Sequence, residues 1–349
     1  MSNNSSLSSP VMPAEWEQQS AVLLAWPHLN TDWAYMLQEV QSCYRQIAKA
    51  ILQEMPLIVV TPDVEEARGQ LKDLSHSNRI LYLKIPTNDT WARDFGPISV
   101  FDNGRAMMLD FKFNAWGMKF AANLDNLICR EMAKLGIFSA QYINCQDFVL
   151  EGGSIESDGK GTILTTSNCL LSQNRNDSLD KQQIENVLKK RLGARKVLWL
   201  NNGKLDGDDT DSHIDTLARL APANTIFYVE SSGLLDEQDE SLRRMEQELK
   251  LMSDANGNSF KLVPLPCPDP IYDEDGYRLP ATYANFLITN TQVLVPIYSQ
   301  QSNDARALDT IAQAFPDRSV VGIDCNALIK QHGSLHCITM QIPLNFLKT

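Results

Sequence analysis

The sequence predicts an α/β fold made of repeated supersecondary units that close on one site. Three observations predict it. Short apolar runs rich in β-formers recur along all 349 residues, helical stripes of period 3.6 lie between them, and polar motifs return at intervals of roughly 50–60 residues with no linker between.

The apolar runs are Ala21–Trp26, Leu57–Val60, Ile80–Ile85, Ile98–Phe101, Thr162–Thr165, Thr225–Val229, Lys261–Leu265, Phe286–Thr289, Val293–Pro296 and Ser319–Ile323, each flanked by Gly, Pro, Asn or Asp. The first helical stripe spans Tyr35–Met55, with Met36, Val40, Tyr44, Ile47, Ala48 and Ile51 on one face. Leu124–Leu135 repeats the pattern, and Ser178–Leu192, Glu237–Leu251 and Asp304–Phe315 are three more. Asp304 at one end and Pro316 at the other frame the last of these as cap and breaker. Residues 1–9, rich in Ser and Asn, read as a disordered start, and 10–349 as a single domain.

Composition narrows the function. Hydrophobic residues make up 43% and charged residues 21%, so a large core is available. The net charge of −12 disfavours phosphate backbones and anionic lipid, and suits the attraction of small cations. No nucleic-acid or membrane partner is expected. Seven scattered cysteines form no CxxC pair, which argues for reduced thiols rather than a disulfide framework or zinc ribbon. The start lacks the basic and apolar regions of a secretory signal, and a cytoplasmic protein is expected.

Four polar clusters sit in apolar surroundings. In Thr87–Pro97 an aromatic, an arginine and Asp94 run into Phe-Gly-Pro, which forces a turn; a surface Arg93–Asp94 pair is the plain alternative. In Phe148–Ser154 a strand-like run ends at Glu151, Gly152 and Gly153, where paired glycines serve either hairpin punctuation or a close backbone approach. In Gly207–Leu220, His213 and Asp215 share a face if the segment is extended, because strand side chains alternate. A calcium loop counted from Asp206 fails, since the places for Gly and Glu hold Asp211 and Leu217. In His332–Pro343, Cys337 lies in a strand-like run after His336, which would then point to the opposite face. A base for the thiol must come from elsewhere, and His213 is the candidate; an inert buried thiol is the alternative. His28 and His76 read as surface or structural.

A cysteine, a histidine and several carboxylates, with no lysine and no metal motif, make an odd nucleophilic site. The acids would hinder a thiolate unless the substrate is itself a cation that neutralises them. A guanidinium fits best, being planar, always charged and able to bind carboxylates bidentately. Attack of Cys337 on its carbon with loss of ammonia would be a deimination.

These motifs, together with Met12–His28, LDFKFNAWG at Leu109–Gly117 and LPATYANFLITNTQVLVP at Leu279–Pro296, span nearly the whole chain. In them the chain resembles the agmatine deiminases and related bacterial peptidylarginine deiminases of the guanidine-modifying pentein superfamily. The resemblance implies a five-bladed α/β propeller of ββαβ-type units around a central site. It implies Cys337 as nucleophile, His213 as general acid and base, Asp94 and Asp215 as guanidinium clamps, and Glu151 as a further carboxylate on the same group. Trp91, Gly152 and Gly153 would shape the pocket. No metal and no cofactor are implied, and members are often homo-oligomers. The chain departs from the family in QHGSLHC, where GGGNIHC is common, in Ser212, where glycine is usual, and in Gln18–Gln19, where histidine is frequent. Agmatine is the expected substrate. Peptidyl or free arginine is the alternative within the same chemistry, and a catalytically silent binding protein is the alternative outside it.

Overall fold

The computed structural model describes residues 10–348, and the expected disorder of 1–9 lies outside them. The described chain is a mixed α/β protein in which one strand arrangement recurs five times. Ile98–Asp102 pairs antiparallel with Arg105–Lys112, which pairs parallel with Gln141–Val149. Ile155–Ser157, Thr162–Thr166 and Lys196–Leu200 repeat this order, as do Ala218–Ala221, Thr225–Val229 and Lys261–Leu265. Leu287–Ile288, Gln292–Ile297 and Ser319–Asp324 form the fourth copy.

The fifth copy joins the two ends of the chain. Thr339–Pro343 runs antiparallel to Gln19–Ala25, which is parallel to Leu57–Thr61, and Ile80–Lys84 extends that sheet. Parallel neighbours cannot be joined by a hairpin, so each copy needs a crossover, and each crossover carries a helix. These are Ile128–Lys134, Lys181–Leu192, Glu237–Lys250, Gln301–Ala314 and Leu37–Leu52.

The helical stripes read from the sequence are the faces that pack. In Leu37–Leu52 the residues Val40, Tyr44, Ile47, Ala48 and Ile51 are fully buried. Lys181–Leu192 begins in a reciprocal capping box between Asp180 and Gln183 and ends at Gly193, whose φ of 73° suits only a residue without Cβ strain. Asp304 is not the cap expected of it. The helix starts at Gln301, and Asp304 turns inward to accept from the Tyr283 hydroxyl and the Tyr298 and Gln300 amides.

Arg105–Lys112 and Lys196–Leu200 were not among the expected runs, although AMML and VLWL within them are unbroken apolar stretches. Gln141–Val149 was anticipated only at its end, in the run into Glu151, because polar residues interrupt the rest of it. No helix among the described residues is long and apolar enough to cross a membrane.

Candidate active site

The polar motifs converge on turns at the ends of the strands. Asp94 sits on the short helical turn Ala92–Phe95, buried to 4% exposure. Its Oδ1 accepts the Gly153 amide at 2.9 Å and its Oδ2 accepts the Trp116 indole N–H at 2.9 Å. Arg93 does not pair with it, contrary to the surface-pair reading. Arg93 turns away to Glu15 at 3.0 Å and to Gln341.

Gly152 and Gly153 are required by crowding, not by hairpin geometry. A Cβ on Gly152 would lie 2.1 Å from the Arg93 carbonyl oxygen. A Cβ on Gly153 would lie 2.7 Å from His213 Nδ1, 2.9 Å from Asp94 Oδ1 and 3.1 Å from Asp215 Oδ2. That one missing methyl group marks where three chemically active side chains meet.

His213 and Asp215 share this centre by a route other than the one expected. The segment is not extended. His213 ends a turn and Asp215 lies in the 3₁₀ helix Ile214–Thr216. Asp211 and Ser212 just before it both take left-handed φ, 68° and 66°. The conformation at Ser212 explains why a glycine would be at ease there, and Asp208 Oδ2 holds the Ser212 amide at 2.7 Å. Two acids of this loop are thus committed to structure, Asp208 to the turn and Asp211 to Lys119 and Arg175, while Asp209 faces a cavity.

Cys337 lies in the turn before Thr339–Pro343 rather than within a strand, so its neighbour His336 is not pointed away. Asn285 Oδ1 accepts the backbone amides of both His336 and Cys337, at 2.9 and 3.2 Å. The Cys337 sulfur is 3.7 Å from Asp215 Oδ2, which also lies 2.8 Å from His336 Nδ1. Setting His336 aside on strand alternation therefore misses a direct contact.

Glu151 needs correction as well. It is fully buried beside the cluster, but both its carboxylate oxygens accept from Arg175 Nε, at 2.9 and 3.0 Å. It already holds a guanidinium, that of the protein. Glu151, Cys169 and His213 have ligand atoms within 4.8 Å of one another, yet the Arg175 cation occupies the carboxylate that a metal would need.

The cluster borders a cavity of about 340 Å³. Trp91, Asp94, Trp116, Phe120, Gly333 and Cys337 line it, and Asp32, Asp89, Asp209 and His332 also face it. Trp91 packs against Trp33 and Trp116, with centroids 5.7 and 6.5 Å away, and a Cβ on Gly333 would strike its ring at 2.1 Å. Trp116 takes a left-handed φ of 55°, a strained setting for a bulky residue, and this turn delivers its indole to Asp94. His213 and Asp215 stand one contact further in, both 0% exposed. His213 Nδ1 is 3.6 Å from Asp94 Oδ1, neither ring nitrogen has a hydrogen-bond partner, and Asp215 Oδ1 has none either.

Electrostatics follow from this crowding. Burial, then the carboxylates of Asp215 and Asp94, push the Cys337 thiol well above its ordinary value. Burial pushes Asp94 up to about 6, partly offset by His213. Burial opposes a charge on His213, but Asp94, Cys169 and Glu151 outweigh it and hold the imidazole well above the usual range. Burial likewise opposes ionisation of Asp215, and the His336 hydrogen bond and charge overcome it, leaving Asp215 low. A bound cation would lower the cost of the negative charges in this set and would oppose the imidazolium of His213.

Sequence reading missed His336, Asn285, Trp116, Asp32, Asp89, Asp209 and Arg175. Trp116 and Asn285 lie in the quoted segments LDFKFNAWG and LPATYANF, but only chain folding brings them to the cysteine. His336, Asp89 and Asp209 lie inside the singled-out clusters but were given no role there, while Asp32 and Arg175 carry no local signal.

Comparison with known proteins places the chain in a family. A protein from Porphyromonas gingivalis, provisionally named an arginine deiminase, shares 51% identity with a TM-score of 0.93, covering 97% of this chain and 100% of its own. The C. jejuni agmatine deiminase, in a cysteine-to-serine variant with substrate bound, shares 38% identity with a TM-score of 0.89 and 97% coverage of both chains. A Lactococcus lactis protein provisionally named an agmatine deiminase is 35% identical over 95% of each chain. The sequence profile of one family matches residues 11–343. The chain belongs to the Porphyromonas-type peptidyl-arginine deiminase family.

Proposed function

We propose that this protein is an agmatine deiminase, converting agmatine and water to N-carbamoylputrescine and ammonia on a route to putrescine. One observation carries the reading. A thiol, two buried carboxylates and a charged-type histidine meet at a cavity with no Lys or Arg among its described lining residues. Such a site suits a substrate that is cationic along its length.

In this reading the guanidinium enters between Asp94 and Asp215, and its charge lowers the cost of forming the Cys337 thiolate, whose proton leaves to solvent. The sulfur attacks the guanidinium carbon. The carbon–nitrogen bond to one terminal amino group breaks, and His213 protonates it as ammonia leaves. Water then attacks the amidino thioether, His213 takes its proton, and the carbon–sulfur bond breaks to return Cys337 and release the ureido product. Glu151 serves at one remove, through Arg175.

Asp32, Asp89 and Asp209 at the cavity supply negative charge for the far ammonium of agmatine. Burial, followed by Asp32, pushes Asp89 up to about 7, so a cationic tail would relieve it. An α-carboxylate there would meet no cation and would lose its hydration without return. Peptidyl arginine stands second, because its backbone is neutral and the family bears its name.

The same reading treats the five ββαβ copies, closed by the pairing of the first and last strands, as five blades around the site. It also takes the enzyme to be cytoplasmic, free of cofactor and indifferent to nucleic acid and membrane, with a homo-oligomeric assembly as in its family. The net charge of −12 and seven unpaired cysteines support this.

An ammonia-release assay on agmatine, a peptide arginine and free arginine tests the reading. The expected order of kcat/KM is agmatine, peptidyl arginine, free arginine. Free arginine outrunning agmatine would overturn the tail argument, and no release from any of the three would overturn deimination itself.

A further inference from the structure

Directly behind the cluster lies a second set of charges, contributed by the buried Arg93, Glu156, Arg219 and His336 and the half-buried Glu15. Arg219 is fully buried and bonds to Glu156, Glu15 and the carbonyls of Ala284 and Phe286. His336 is 1% exposed and joins this set to the active site. Its Nε2 lies 2.8 Å from Glu15 Oε1 and 3.1 Å from Arg219 Nη2, and its Nδ1 lies 2.8 Å from Asp215 Oδ2.

The two oxygens of Asp215 are therefore unequal. Oδ2 has partners in His336 and, at 3.7 Å, the Cys337 thiol, while Oδ1 is buried with none. Left alone, a carboxylate one bond from a rotatable carbon would not keep one oxygen in reserve.

We propose that His336 is a positioning residue: its Nδ1–H holds Asp215 Oδ2, so that Oδ1 stays open to accept a guanidinium N–H, and Glu15 and Arg219 fix the ring from the far side. Both the imidazolium and the neutral ring with its proton on Nδ1 can make this bond. The anchor comes in part from the segment before the first strand, since Glu15 precedes Gln19–Ala25. The role deepens the deiminase reading and rests on it.

The charged and titratable groups that face Asp215 are His336 and Cys337 from one turn, His213 from its own, Arg219 from the following strand and Asp94 across the centre. Among these the His336 hydrogen bond and charge are the main influences holding Asp215 low. Losing the Nδ1–H would raise Asp215, and clamping would then fail at a higher pH than in the parent.

Two amide substitutions in the full chain separate positioning from bulk. In His336→Asn the amide N–H can stand where Nδ1–H stood, whereas His336→Gln carries it out toward the Nε2 position. H336N should keep kcat/KM for agmatine within about threefold, while H336Q should lose about 10- to 100-fold, with the acid limb of its pH profile moved upward. Equal activity and equal pH profiles in H336N, H336Q and the parent would overturn the proposal. Equal losses in both, with lowered melting temperature and unmoved pH profiles, would reduce His336 to packing and also overturn it.

Alkylation of Cys337 by a small neutral reagent needs no turnover and keeps the test separate from the deiminase reading. The apparent pKa of alkylation should be displaced in H336Q and unchanged in H336N even if the parent released no ammonia. An unchanged value in H336Q would overturn the positioning role alone.

Discussion

Two neighbouring groups of buried ionisable residues share the centre of this protein, and they differ in how completely they are satisfied. Around Arg219, donors and acceptors are matched: Glu15, Glu156, His336 and two backbone carbonyls take up its guanidinium. Around Cys337, three buried atoms have no partner, namely both nitrogens of His213 and Oδ1 of Asp215. Burying an unpaired polar atom costs free energy; the ionic group around Arg219 leaves one such atom, Arg93 Nε, against three beside Cys337. The better satisfied group reads as scaffold, and the group with three open atoms beside the cavity is the candidate site.

The sharpest way to break this distinction is at the nucleophile. Cys337→Ala should reduce turnover to background while the circular dichroism spectrum and melting temperature stay near those of the parent. Substantial residual turnover would remove Cys337 from the site.

The scaffold side should show the reverse pattern. Arg219→Met leaves Glu156 buried without its cation, while Glu15 keeps Arg93, and should destabilise the protein by about 3–5 kcal/mol. Denaturant unfolding reads this directly. A variant as stable as the parent would mean that the ionic group is not structural.

Asp94→Asn and Asp215→Asn should fall between these extremes. Each keeps shape and removes a charged acceptor, so kcat/KM should drop about 10- to 150-fold, equivalent to about 1.5–3 kcal/mol, with little change in stability. Normal turnover by either variant would remove that residue from the clamp.

The smallest effect concerns pH. Asp94 and Asp89 are pushed up, to about 6 and about 7, by burial above all. A carboxyl raised on folding contributes stability that is present below its ordinary value, about 4, and is lost as pH rises through the folded value. The ligand-free protein should therefore melt lower at pH 8 than at pH 5, by on the order of 2–4 °C for each kcal/mol lost. Agmatine bound to the Cys337→Ala variant should raise the melting temperature more at pH 8 than at pH 5. Equal ligand effects at both would show that the acids are not relieved by a cation.

Much of this was legible before the structure. The helical stripe of Tyr35–Met55 became Leu37–Leu52, and Thr225–Val229 and Lys261–Leu265 are strands at the expected bounds. Periodic burial is a local property, so a single stretch of sequence carries it. Asp94, His213, Asp215 and Cys337 were named from their motifs and do meet, since each sits where an apolar run is broken by polar residues. Glu151 was named too, but its ion pair with Arg175 was not visible, because no pattern links residues 24 apart across a turn.

What the sequence determined by itself is the alternation of strand and helix, the excess of negative charge and the set of reactive groups. Only the tertiary structure decided which acid is committed and which is open. Asp94 and Asp215 keep their carboxylates at the thiol, Glu151 is neutralised by Arg175, and His336, dismissed on strand alternation, bonds to Asp215 through a turn. The physical reason is that partnership among buried charges depends on distances of 3–4 Å between residues up to 321 apart in the chain, here His336 and Glu15, and the fold alone sets such distances.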